Sequence, residues 1–445
     1  MSKYEKYKPS AIAWIGDVPS EWKVNRIKNV VDIFGRIGFR GYTVADIVND
    51  GEGAISLSPS NIIDQKIVLE NSTYISFFKY DESPEIQIQN EDVILVKTAS
   101  VGKAIFVEGL TEKTTINPQL IVFKNYKIHR KFFYYTVISN VIQGQITKDT
   151  AGGVIGTVTQ QAVNNYKIVI PSKAEQLTIA NYLDQQTQKI DRLIANKKAQ
   201  AEKLKELRQI EINNAVTKGL NPNAEMKDSG IDWLGKIPKN WKTNRLKNVT
   251  YINQEVITEK TYPDYELKYI DIGNVTSNGE FLELQEMTFS EAPSRARRKP
   301  KHNSIILSTV RTYLRAIAFV QNPDDNLIAS TGFAVIDAYE NLFDAKYLFY
   351  QMTSHIVVER VIANSDGVSY PAISSTKLGD MKIILPPKEE QELISKYLED
   401  RTTAIDKLIK NIDAQIEKLQ EVRKIKIYEA VTGKIKVNAY VEATA

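Results

Sequence analysis

The sequence predicts an α+β chain built twice over: two tandem mixed α/β domains, each followed by a long helix, the two helices pairing as an antiparallel coiled coil. Three observations predict it. WIGDVPSEWKVNRIKNV at residues 14–30 returns as WLGKIPKNWKTNRLKNV at 233–249, an offset of 219 residues. IPSKAEQLTIANYLDQQTQKID at 170–191 returns as LPPKEEQELISKYLEDRTTAID at 385–406. After Pro171, and again after Pro387, about 45 residues run without Pro or Gly, until Gly219 and Gly433. A period near 215 residues far exceeds that of solenoid repeats, so each copy is a domain with an attachment.

The first part of each copy carries short β-branched and aromatic runs bounded by Gly, Asn, Asp and Pro. They are AISL, TYISFF, DVILV, AIFV, QLIVF and KIVIP in the first copy, and KYIDI, SIILS, AIAFV, FAVID and MKIILP in the second. These read as strands. A single helix is expected within each set, at 130–142 and 345–362. The predicted segments are a first domain at 1–172, a helix at 173–219, a second domain at 220–387, a helix at 388–434 and a tail at 435–445.

Each Pro- and Gly-free run would make a helix about 65 Å long at ~1.5 Å per residue. Heptad-like spacing nominates Ile190, Leu193, Leu204 and Leu207 on the first helix, and Ile405, Leu408, Ile412, Leu419 and Val422 on the second, as the pairing seam. One amphipathic helix would more simply lie on its own domain. Two equivalent helices, neither with an obvious domain to cover, favour pairing with each other.

Composition excludes much chemistry. The absence of cysteine removes disulfides, thiolate metal sites and thiol nucleophiles, and three scattered histidines, His129, His302 and His355, form no ligand motif. The only Pro-Pro, Pro386-Pro387, sits before a helix rather than in a [DN]-P-P-[FY] amino-methyltransferase motif. No phosphate loop occurs, since Lys97 stands where the first Gly before Gly102-Lys103 should be. No catalytic residue, no metal site and no cofactor of its own are expected. The N-terminal MSKYEKYKPS has no apolar core and no stretch is long enough to span a membrane, which points to the cytoplasm. With 58 basic and 54 acidic side chains, net charge leaves the partner open.

The pattern W-x-G-x-[IV]-P-x-x-W-x-x-x-[KR]-[IL]-K, a variable domain, then [IL]-P-x-x-x-E-Q-x-x-I and a long helix, all present twice, resembles the specificity subunit of type I restriction–modification systems. The resemblance implies that each domain is a target-recognition domain reading one half of a bipartite double-stranded DNA site. It implies that the helices set the gap and dock two methyltransferase subunits, with restriction subunits joining them. S-adenosylmethionine would be bound by those methyltransferase partners.

DNA contacts are expected from basic loops. Arg295, Arg297, Arg298, Lys299 and Lys301 crowd seven residues between Pro293 and His302 and read as a loop able to clamp phosphates or reach guanine edges. Thr309, Arg311, Tyr313 and Arg315 follow the next strand, matched in the first copy by Lys97, Thr98, Ser100 and Lys103; the resemblance puts this turn among the DNA-facing loops. Arg36 and Arg40 flank Gly38. Lys148, ahead of Gly152-Gly153, matches the stretch holding Gly367, Ser369 and Tyr370. The alternative reading is a two-domain helical scaffold that binds no DNA.

Overall fold

The computed structural model describes residues 2–36, 38, 41–150 and 156–437. The chain forms two compact units, Met1–Asn196 with Ala414–Ala445, and Lys197–Asp413. The units divide inside the long helices, Lys173–Lys218 and Lys388–Val431, so each contains one globule, the start of one helix and the end of the other.

In the first unit, four antiparallel strands run in the order Ala104–Phe106, Val93–Val96, Leu120–Lys124, Asp32–Gly35. Their side chains alternate between two cores, as the period of two along a strand requires. Val93, Leu95, Ile121 and Phe123 face the helices, whereas Ile94, Val96, Leu120 and Val122 face a second sheet. That sheet holds Thr114–Ile116, Ala54–Leu57, Thr73–Ile75 and Ile47–Val48, and its first pair is parallel. Burial on both faces explains why VILV and LIVF are continuous apolar runs rather than alternating ones.

The second unit repeats the plan. Thr250–Ile252, Phe333–Ala338, Ile305–Ser308 and Ile317–Phe319 form the first sheet. Ile305, Leu307, Ala334 and Ile336 face the helices, and Ile306, Phe333 and Val335 face the other side. The second sheet runs Gln285–Thr288, Glu266–Ile270, Leu327–Ser330, Ala296–Arg298, again with one parallel pair.

The single helix expected in each globule is split in two, and short helices at Phe77–Asp81, Gln160–Asn165 and Ser375–Asp380 accompany the pairs. Arg130–Ile138 and Asn140–Thr150 break at Ser139; Ala345–Thr353 and His355–Ala363 break at Ser354. Both serines take extended backbone and turn their hydroxyls back onto the preceding helix, Ser139 onto Thr136 O at 2.8 Å and Ser354 onto Gln351 O at 2.6 Å. A serine that satisfies a helix end locally competes with helix continuation.

The doubled Glu-Gln motif fastens each long helix to its globule. Gln176 Nε2 donates to Pro171 O and its Oε1 accepts from His129 N; Gln391 repeats this with Pro386 O and Asp344 N. Glu390 Oε2 accepts from the indole of Trp241 at 2.8 Å, and Glu175 Oε1 from that of Trp22 at 3.4 Å. Both indoles are buried and pin the chain entry of each globule to the start of its long helix. The helices stop at Gly219 and Gly433, at φ +75 and +70; a Cβ on Gly433 would meet Pro19 Cδ at 2.4 Å.

The two long helices pack on each other within each unit. In the second unit Arg208 Nε reaches Asp406 Oδ1 at 2.9 Å, and Glu211 accepts from Arg401 at 2.9 Å and Tyr397 at 2.8 Å. Rising numbers on one helix meet falling numbers on the other, which is antiparallel pairing. In the first unit Arg423 Nε reaches Asp191 at 2.9 Å. Arg208 and Arg423 are equivalent in the repeat, as are Asp191 and Asp406, both at an offset of 215. The same ion pair is therefore made once per unit with the helices exchanged, as in an isologous interface.

The seam needs one correction. Ile190, Leu204, Ile405, Ile412 and Leu419 are buried or half-buried. Leu193, Leu207, Leu408 and Val422 are 49%, 38%, 51% and 41% exposed and lie outside the seam. The low-exposure stripe runs 190, 194, 197, 201, 204, 208 on one helix and 405, 409, 412, 416, 419, 423 on the other, alternating steps of four and three. Stepping three residues where the stripe steps four put every second position one place out: the seam takes Ile194 and Ile409 rather than Leu193 and Leu408, and Arg208 and Arg423 rather than Leu207 and Val422.

Candidate nucleic-acid interface

In the second unit the expected basic loop is partly a strand. Ala296–Arg298 pairs with Leu327–Ser330 through a bulge between Ala296 and Arg298. The pairing partner lies thirty residues downstream, beyond the reach of local pattern. Arg295 donates to the Tyr269 hydroxyl at 3.1 Å and to Asp271 at 2.5 Å, and these two partners raise its pKa. Arg297 lies over the Phe289 ring and donates to Ala296 O. Arg298 is half-buried with its Nε unpaired, and burial lowers its pKa. Lys299 is half-buried, and the exposed Lys301 stands 3.9 Å from Asp337. The run therefore offers fewer free cations than its composition suggests.

Next to it stands the turn after Ile305–Ser308. Arg295 O accepts from Thr331 N, and Thr309 N and Oγ1 both donate to Gly332 O, which brings the basic run and this turn together through Thr331-Gly332. Thr309 is buried in that contact. Arg311 and Arg315 both have left-handed backbone, at φ 52 and 55. Arg315 is paired with Glu359 at 2.6 Å, Tyr313 is half-exposed, and the Arg311 guanidinium lies 4.7 Å over the Tyr370 ring. Ser369 and Tyr370 sit on an exposed loop beside the fully exposed Val368.

The first unit has a comparable but less basic turn. Lys97 O accepts from Val158 N, and Thr98 bridges to Thr157. Ser100 is half-buried, and Lys103 is exposed, as is Lys148 near the end of Asn140–Thr150. Arg36 is not displayed as expected. It is buried, donating to Ile116 O at 3.0 Å and Thr115 Oγ1 at 3.1 Å, and burial lowers its pKa. Arg40 and Gly152-Gly153 lie outside the described residues. Sequence reasoning missed Phe78 and Val44, 81% and 85% exposed on neighbouring turns tied by Ser76 N to Asp46 O. TYISFF read as one strand, yet Ser76 caps a short helix, Phe77–Asp81, and that cap was the available signal.

Among the described residues, no group of three His, Cys, Asp or Glu side chains is arranged to hold a metal, and no helix is long and apolar enough to cross a membrane. What the loops offer is cations, hydroxyls and exposed rings. The build defines a class of protein: duplicated α/β units bearing polar and basic loops, threaded on a pair of long helices.

The model of the type I restriction modification DNA specificity domain matches the chain twice, at residues 19–203 and 238–418. The chain belongs to this family, the specificity subunits of type I restriction–modification systems. It is 24% identical over 446 residues to the putative type I restriction enzyme MjaX specificity subunit of Methanocaldococcus jannaschii, covering 98% of each chain. It is likewise 24% identical to the MjaVIII specificity subunit of that organism, covering 94% of each. Its fold is similar to a chain in the solved structure described as the structural basis of complex assembly and conformational transition of the type I R-M system. That chain matches at TM-score 0.67 and 16% identity, over 94% of this chain and 99% of that one.

Proposed function

We propose that each unit reads one half of a bipartite double-stranded DNA sequence, and that the paired helices set the gap between the halves and dock two methyltransferase subunits. Restriction subunits join through these. S-adenosylmethionine is held by the methyltransferase subunits, and the base chemistry is theirs; this chain recognises and assembles, in the cytoplasm. The recognition domains are residues 1–172 and 220–387, with 173–219 and 388–434 as spacers and 435–445 as a tail.

The observation that carries the reading is the doubling itself. Frameworks, helix anchors and the Arg–Asp pair are kept in both units, whereas the turns after the central strands differ, Lys97-Thr98-Ala99-Ser100 in one and Thr309-Val310-Arg311-Thr312 in the other. Kept scaffolds with different loops suit two related ligands of different sequence. A protein scaffold that binds no DNA is separated from this reading by salt. Affinity of the assembled complex for DNA falls steeply with salt, the slope of log K against log salt being about −0.9 per phosphate neutralised. A flat dependence supports the scaffold.

A further inference from the structure

We infer that Arg311, stacked on Tyr370, reads a guanine in the half-site bound by the second unit; this rests on the DNA-reading function proposed above. Arg311 N donates to Pro371 O at 2.7 Å, Ile373 N donates to Thr309 O at 2.9 Å, and Val310 bridges to Ala372. Two loops distant in sequence are thereby clamped side by side, with Arg311 on one and Tyr370 on the other.

The backbone at Arg311 is left-handed, which residues other than Gly, Asn and Asp seldom adopt. The first unit has the same feature. Leu95 and Ala104 match Leu307 and Ala316 at an offset of 212, Thr98 bridges to Thr157 as Val310 does to Ala372, and Ala99 takes φ 69 where Arg311 takes φ 52. The turn thus belongs to the scaffold and forms with only a methyl group on it. The guanidinium is not needed for the turn, so its presence in one unit alone is a difference in what that unit presents.

Its surroundings favour a base over a phosphate. Arg295 and Arg315 are tied to Asp271 and Glu359, but among the described residues Arg311 has no carboxylate partner. The Tyr370 ring lies against its guanidinium and is itself 62% exposed. The ring covers one side of the guanidinium while Arg311 itself is exposed, so its fork of N–H donors, the kind that pairs with the N7 and O6 acceptors of guanine, stays open to a ligand.

The test uses the full chain produced with its methyltransferase subunits in a host lacking other methylation, with the methylated motif read genome-wide. Arg311→Ala relaxes one G·C position in the second unit's half-site, with discrimination there reduced about 10- to 100-fold. All other positions, and the other half-site, are unchanged. Arg311→Lys relaxes the same position, since an ammonium lacks the fork, and carries the test should the alanine variant fail to fold. Tyr370→Ala relaxes it partly and Tyr370→Phe does not. Weakened methylation at all sites with an unaltered motif makes Arg311 a phosphate contact and overturns the assignment, as does a wild-type half-site with no G·C pair. A wild-type complex whose methylation follows no bipartite motif instead overturns the DNA-reading function itself.

Discussion

The indole Nε1 of Trp241 donates to Glu390 Oε2 at 2.8 Å, joining the first motif of the second repeat to its last. The two motifs lie about 150 residues apart because a whole globule is inserted between them. Trp241 is fully buried, so its N–H has no recourse to water. Glu390→Ala therefore lowers unfolding free energy by about 1–3 kcal/mol, the cost of a buried donor left unmade. Denaturant titration checks this, with Glu390→Gln, which keeps an acceptor, losing less.

Much of the scaffold was legible in the sequence because it is written twice. VILV and SIILS announce sheet strands by β-branched content, and the Pro-x-x-x-Glu-Gln motif announces a helix start. What was illegible depends on partners far away. Arg36 looks like a free loop cation until Thr115 and Ile116, some 80 residues on, accept hydrogen bonds from its guanidinium. Arg297 and Arg298 look like loop until a strand thirty residues later pairs beside them. The seam failed for a different reason: a step of three was taken where the stripe steps four, so Leu193 and Leu408 stood in for their neighbours Ile194 and Ile409, and Leu207 and Val422 for the polar Arg208 and Arg423.

That correction is testable on the second helix. Ile409 is 8% exposed and its neighbour Leu408 is half-exposed. Ile409→Ala costs about 2–4 kcal/mol through lost burial and the cavity left behind, whereas Leu408→Ala stays within about 0.5 kcal/mol. Equal losses in thermal or urea unfolding would return the seam to its simpler heptad assignment.

The Arg208–Asp406 and Arg423–Asp191 pairs hold the helices together in their respective units. Both arginines are largely buried and both aspartates half-exposed. Asp406→Asn leaves a largely buried guanidinium short of its counter-charge and costs about 1–2 kcal/mol, discounted for solvent screening. Asp191→Asn does the same in the first unit. The two losses add in the double variant, since the pairs share no residue; strong non-additivity in the unfolding free energies would contradict two independent pairs.

Acid sensitivity follows from Glu211. Hydrogen bonds from Arg401 and Tyr397 hold its carboxyl below the ordinary 4.5. A folded pKa below the unfolded one contributes stability that is complete above about pH 4.5 and is lost as pH falls through the folded value. Glu211→Gln is therefore less stable than the parent at pH 7, and the gap closes as the pH drops below 4.5. A gap that stays constant from pH 7 to pH 3 would show that the carboxylate's charge is not what matters.

Two units that read two half-sites independently can be exchanged one at a time. Replacing residues 1–172 with the corresponding segment of a relative of different specificity, and sequencing the methylated motif of a host carrying the hybrid with its methyltransferase subunits, tests this most directly. In the hybrid, one half of the motif changes while the other half and the gap stay as they were. A motif altered in both halves would contradict it.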